Sequence, residues 1–130
     1  MERHRELAAR FLSELQSGNR MTWIYEQDGQ FLGEISMVKD PNDPDYTIPG
    51  RRIYVSRLIV RRENRRQGIG KALVEHAVSR AAEMGYTELS IGVDMDNYGA
   101  LRLYWQAGFR ELLFVGEDAD GKYFKLLKRL

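Results

Sequence analysis

The sequence predicts an α/β fold, a mixed central sheet with helices on both faces, in a single domain spanning residues 1–130. Three observations carry that expectation. A strand-like run at 53–60, a helix-like run at 71–84 and a second strand-like run at 88–93 follow one another, and a helical crossover makes the two strands parallel. A hairpin pattern precedes this unit and another follows it, and such a mixture needs a layered sheet-and-helix core. The length of 130 residues suits one such core.

Residues 2–17 read as an amphipathic helix, with Leu7, Phe11 and Leu15 at every fourth position and Ala8 and Leu12 beside them. Gly18-Asn19 stops it. Residues 21–26 and 30–38 are strands joined through Gln27-Asp28-Gly29, an antiparallel hairpin. Residues 39–52 hold all three prolines, Gly50 and three aspartates, which makes a long loop of the kind that is often functional or disordered. The strand at 53–60 is rich in β-branched and apolar residues. The helix from about Gly68 presents Leu73, Val74, Ala77, Val78 and Ala81 on one side and ends at Gly85, a C-cap glycine. After the strand at 88–93, a short helix runs from Asp96 or Asn97 to Ala107. Strands at 109–115 and 122–127 close the chain as a hairpin around residues 118–121.

Composition removes several function classes. Net charge is +1, so bulk electrostatics gives no affinity for nucleic acid. The absence of cysteine removes disulfides, thiolate metal sites and a cysteine nucleophile, and fits a cytoplasmic setting. No histidine pair or carboxylate cluster has metal-ligand spacing, so no metal is expected. No apolar run approaches the roughly 18 residues of a membrane span, and the charged start Met1-Glu2-Arg3-His4 lacks the core of a secretory signal.

Charge is nevertheless concentrated. Arg51, Arg52, Arg57, Arg61, Arg62, Arg65, Arg66 and Lys71 crowd one stretch, and within it lies Arg65-Arg66-Gln67-Gly68-Ile69-Gly70. A basic, glycine-punctuated turn from a strand into a helix suits a phosphate. Glycines admit close approach of the backbone, successive N–H groups form an anion-binding concavity, and the helix start adds unpaired donors and the positive end of its dipole. The string is not a P-loop, because Gly70-Lys71 is followed by Ala72 and Arg65 stands where the first glycine belongs. It is not the dinucleotide fingerprint either, because Leu73 replaces the third glycine. A nucleic-acid site is disfavoured as well, since no aromatic residue interleaves residues 61–71.

From Tyr54 to Phe109 the chain resembles the GNAT superfamily, the Gcn5-related N-acetyltransferases. Arg65 to Gly70 matches its Arg/Gln-x-x-Gly-x-Gly/Ala signature, and Leu58-Ile59-Val60 matches the strand that precedes it. Asn97, Ala100, Leu103-Tyr104 and Gly108-Phe109 match a downstream pattern. The resemblance implies direct transfer of the acetyl group of acetyl-CoA to a primary amine, with no metal. It implies a cofactor site of Leu58, Ile59, Val60, Arg65, Arg66, Gln67, Gly68, Ile69, Gly70, Lys71, Asn97 and Tyr104. In that arrangement the N–H of Leu58 polarises the thioester carbonyl, and Tyr104 acts as the acid for the leaving sulfur. On residue type alone, Tyr104 at helical spacing with Ala100 is a core residue, and Asn97 at a helix start is a cap.

Two departures from the family pattern qualify what is expected. Tyr54 stands where some relatives have a glutamate base, which leaves Glu34, Asp94, Asp96 or water for that role. His4 lies near the terminus, and His76 falls on the helix side opposite Leu73 and Val74, which predicts an exposed ring. The first family strand is missing from the predicted order, and an uncovered sheet edge predicts a homodimer. These departures keep open an alternative, a catalytically silent acyl-CoA-binding module. Glu34, Asp40, Asp43 and Asp45 are candidates to line a cationic acceptor's site, although exposed acidic loops are common. The acceptor's identity is not readable from the residues.

Overall fold

The computed structural model describes residues 2–6, 18–65 and 68–130. Seven strands form one sheet: β1 (Glu2–Glu6), β2 (Arg20–Gln27), β3 (Gln30–Val38), β4 (Arg52–Val60), β5 (Glu88–Asp94), β6 (Glu111–Asp118) and β7 (Gly121–Arg129). Their spatial order is β1-β2-β3-β4-β5-β7-β6. Only β4 and β5 run parallel; the other neighbours are antiparallel. Helix α1 (Ile69–Glu83) makes the parallel crossover, and α2 (Tyr98–Gln106) connects β5 to the final hairpin.

The middle and the C-terminal half follow the predicted pattern within a residue or two at most ends. The start does not. Glu2–Glu6 is a strand paired antiparallel with β2, from Glu2 opposite Gln27 to Glu6 opposite Trp23. This replaces the beginning of the predicted helix at 2–17, and residues 7–17 lie outside the described residues. The same strand corrects the expectation of a missing first strand. The edge beside β2 is covered by this chain itself, so the edge argument for a homodimer loses its basis.

The core lies between the sheet and α1. Helix α1 turns Leu73, Val74, Ala77 and Ala81, all at most 1% exposed, onto Trp23, Ile35, Ile53 and Leu89. His76 is not exposed. It is half-buried, with its ring edge-on to Trp23 at 5.4 Å between centroids. Gly33 on β3 makes the close approach of α1 feasible, because a Cβ there would stand 2.6 Å from the Ile59 carbonyl oxygen and 3.2 Å from Leu73.

Two features of β4 open the sheet near its centre. Its register against β3 jumps between Ser36–Arg57 and Met37–Val55, which leaves Ser56 as the extra residue of a bulge. Its pairing with β5 runs only from Arg52–Glu88 to Val55–Ile91. Beyond Val55 the two parallel strands part.

Candidate active site

The opening between β4 and β5 exposes main chain. The N–H of Arg61 donates to the carbonyl of Leu32 at 2.9 Å, toward β3. Alternate residues of a strand turn their N–H and C=O groups to opposite sides. Arg57 and Ile59 therefore share the β3 side, and Leu58 and Val60 face the gap. Ile59, predicted with its neighbours, has its main chain committed to the β3 ladder opposite Glu34.

The next turn leads from this strand into α1. Arg65 is exposed, and its Nε donates to the Val60 carbonyl at 3.4 Å. Arg66 and Gln67 lie outside the described residues. Gly68 caps α1 with φ of 81°, a left-handed conformation that favours glycine. Gly70 serves close packing, since a Cβ there would stand 3.2 Å from Leu103 Cδ2 and 3.7 Å from Val60 Cγ2. This contact brings the start of α1, the end of β4 and α2 together. Ile69 is buried in the core, and Lys71 is exposed with its ammonium 4.0 Å from Glu75. The first turn of α1 contains no acidic side chain, so the positive end of the helix dipole is not neutralised locally.

A cavity of about 410 Å³ lies next to this region. Tyr46, Tyr54, Tyr104 and Tyr123 line it together with Asp43, Asp94, Asp118 and Lys125. Tyr104 is 7% exposed, and among the described residues its hydroxyl makes no hydrogen bond. Burial, followed by the neighbouring Tyr54, pushes it up to about 12, so it is a phenol at neutral pH. Asn97 also borders the cavity, and its side chain accepts from the Ala100 N–H at 3.2 Å, which makes it the cap of α2.

The long loop at 39–51 forms one wall through Asp43 and Tyr46. Lys125 of β7 donates to Asp43 at 2.9 Å and to Asp45 at 3.1 Å. Its ammonium also lies 4.8 Å from the centre of the Tyr46 ring and 4.9 Å from that of Phe114. Arg52 donates to the Asp45 carbonyl at 2.7 Å, and Ser90 to the Tyr46 carbonyl. Tyr46 thereby stacks on Tyr54 at 4.0 Å and covers Gly92, where a Cβ would stand 2.3 Å from its hydroxyl. Burial raises the pKa of both stacked tyrosines.

Of the carboxylates considered for the base, Asp94 borders the cavity, and Glu34 and Asp96 do not. Glu34 is buried on β3 with Arg57 Nε at 3.7 Å. Among the loop aspartates Asp43 reaches the cavity, Asp45 is bound to Lys125, and Asp40 accepts from the Asn42 N–H. Sequence reasoning missed Tyr46, Asp118, Tyr123 and Lys125. The one signal for Lys125 was its place in Tyr123-x-Lys125-x-Leu127, a charged residue on a strand face that otherwise turns inward. No group of three or more His, Cys, Asp or Glu among the described residues could hold a metal ion.

Comparison with known proteins matches this arrangement. Residues 1–109 match the model of the acetyltransferase (GNAT) family. N-acetyltransferase family 8 member 3 of Rattus norvegicus is 35% identical over 91 residues, which cover 68% of this chain and 38% of that protein. The chain thus spans less than half the length of the curated relatives it matches. A GNAT family acetyltransferase from Elizabethkingia anophelis, solved with acetyl-CoA bound, superposes with a TM-score of 0.75 at 16% identity, over 99% of this chain and 98% of that one. The solved NatC complex bound to Gag peptide and CoA gives 0.71 at 28% identity, over 84% of this chain and 70% of that one. With the family's profile matched across most of its length, this chain belongs to the GNAT family of acetyltransferases.

Proposed function

We propose that the chain is an N-acetyltransferase that moves the acetyl group of acetyl-CoA directly to a primary amine. One observation carries the reading. Main chain left open where β4 parts from β5 runs straight to a helix start that has a left-handed glycine and no acidic residue, with a cavity alongside. The residues present fit acetyl-CoA: open N–H groups suit a diphosphate, and an unpaired strand edge suits a chain of amides.

Acetyl-CoA supplies an activated acetyl thioester, and this chain's residues do the rest. The N–H groups of residues 68–71 and the guanidinium of Arg65 hold the diphosphate, with Arg66 and Gln67 assigned there from sequence. Leu58 and Val60 offer main-chain groups to the pantetheine amides. The Leu58 N–H points at the carbonyl oxygen that gains charge, a contribution on the order of 3 kcal/mol. Tyr104 keeps its proton on Oη throughout. Its pKa, raised by burial to about 12, keeps it a phenol at neutral pH. Its part is to donate a hydrogen bond to the departing thiolate. Asp94, the cavity carboxylate at the end of β5, receives the proton of the amine. The tyrosine-lined cavity holds the acceptor.

The silent-module alternative rested partly on a missing strand, and β1 removes that support. Thiol release from acetyl-CoA over a panel of primary amines, read beside calorimetry of coenzyme binding, tests the reading. Amine-dependent thiol release is expected. Coenzyme binding with no release for any amine would return the chain to the silent module.

A further inference from the structure

With β2 covered by β1, the sheet ends in β1 on one side and β6 on the other. The two edges differ in kind. β1 reads Glu2-Arg3-His4-Arg5-Glu6, a charged run of the sort that keeps an open edge from pairing. β6 lacks that guard over its middle, where Leu112, Phe114 and Val115 are 56%, 43% and 47% exposed. The bulge between Leu112 and Phe114 puts Leu112 and Val115 on one face, opposite Leu126 and Phe124 of β7. On that face exposed Trp105 of α2 joins Leu112, Phe124 and Leu126 around an apolar groove of about 570 Å³. An apolar strand edge beside an apolar groove marks an interaction surface.

The charges along β6 point to what covers it. Arg110 precedes the strand. Its guanidinium lies 5.2 Å from the centre of the Trp105 ring, and among the described residues it meets no carboxylate. Glu117 and Asp118 end the strand, exposed, with no ion pair among the described residues. Asp118 accepts from the Asp120 N–H, and Lys122 stands opposite Glu117 without closing a bridge. The strand is thus positive at its start, apolar in its middle and negative at its end, and such a strand complements a reversed copy of itself.

We propose that a second copy of this chain covers the edge, β6 pairing antiparallel with β6 about a two-fold axis at Phe114. That register brings Arg110 of each copy to the acidic end of the other, opposite Asp118. Phe114 meets its counterpart, Leu113 meets Val115, and the two grooves adjoin on one face of a continuous sheet. Glu111 falls opposite Glu117, but Arg129 already holds it. Asp118 also borders the cavity, so each copy brings a cation to the rim of the other's site.

Sedimentation equilibrium at micromolar concentration tests this, with near-UV circular dichroism to check that each variant is folded. A mass of twice the chain's 15.1 kDa is expected. Val115→Lys puts a charge on the edge, and Arg110→Glu makes two like-charge contacts across the axis. Each should weaken the dimer by about a hundredfold. Asp118→Lys should weaken it as well, and mixing that variant with Arg110→Glu should restore it, because both contacts then join opposite charges. A monomeric native chain, a dimer unmoved by Val115→Lys and Arg110→Glu, or a mixture of the folded charge variants that stays monomeric would overturn the proposal.

Discussion

Tyr104 is set by its surroundings before any ligand arrives. Burial holds it protonated at about 12, so it acts as a donor over the whole working range. We expect Tyr104→Phe to lower kcat by about tenfold to a hundredfold, the loss of one hydrogen bond to a charged group, while coenzyme affinity measured by calorimetry changes little. Equal losses in both would make it a packing residue beside Phe109. The native protein's kcat should also show no alkaline decline between pH 8 and about 10, because a group raised to about 12 stays protonated there. Gly92 is a second residue-scale test. A methyl at this position meets the Tyr46 hydroxyl, so Gly92→Ala should displace that wall and raise the acceptor KM more than the acetyl-CoA KM. The sequence made Tyr104 legible through motif and spacing. It could not show that Tyr46 and Tyr54 would stack, because their contact depends on a loop whose anchor, Lys125, lies 80 residues from Asp45 and 82 from Asp43.

At the scale of elements, the bulge at Ser56 and the early end of β4–β5 pairing create the open main chain, and glycines let α1 reach it. Gly33→Ala would press a Cβ into the Ile59 carbonyl. We expect it to cost about 1–3 kcal/mol in urea unfolding, as overpacking does. No loss would mean that the β3–α1 approach has slack. The periodicity of α1 and β5 was plain because each buries one strong apolar face. β1 was invisible for the opposite reason: Glu2-Arg3-His4-Arg5-Glu6 has no apolar alternation, and a charged edge strand needs none. The helical spacing of Leu7, Phe11 and Leu15 was extended backward across it.

Across the whole molecule, the sheet is tied where its two halves meet. Glu88, 2% exposed, accepts from Arg52 at 2.8 Å and Arg51 at 3.1 Å, and Arg129 of β7 reaches it at 3.2 Å. Burial alone would raise its pKa. The hydrogen bonds from Arg52 and Arg51 outweigh burial and hold it below the usual carboxylate value. A lowered folded-state pKa stabilises the fold above the unfolded value of 4.5 and loses that contribution as pH falls through the folded one. Asp43, held down by Lys125 against its own burial, has the same sign from 3.8. Stability should therefore be level from pH 7 to about 5 and fall below that. Arg52→Met should cost about 1–2 kcal/mol, since it removes the shortest of three arginine bonds to a buried carboxylate and leaves Arg51 and Arg129 as its partners, and should also loosen the 39–51 loop through its bond to Asp45. An acid denaturation curve unmoved by Arg52→Met would show that this tie does not hold the sheet. None of this network was legible in the sequence, where Arg51 and Arg52 belong to the basic stretch around the glycine turn and Glu88 only opens a strand.

The central claim is that a diphosphate docks on main-chain amides where β4 opens and α1 begins. Titrating CoA into uniformly ¹⁵N-labelled protein and following amide shifts tests it most directly. Gly68, Ile69, Gly70 and Lys71 are expected to move most, with Leu58 and Val60 next, and Gly68→Glu is expected to abolish these shifts in a variant whose remaining spectrum stays folded. Shifts that leave these amides unmoved while others respond, or that survive Gly68→Glu, would contradict it.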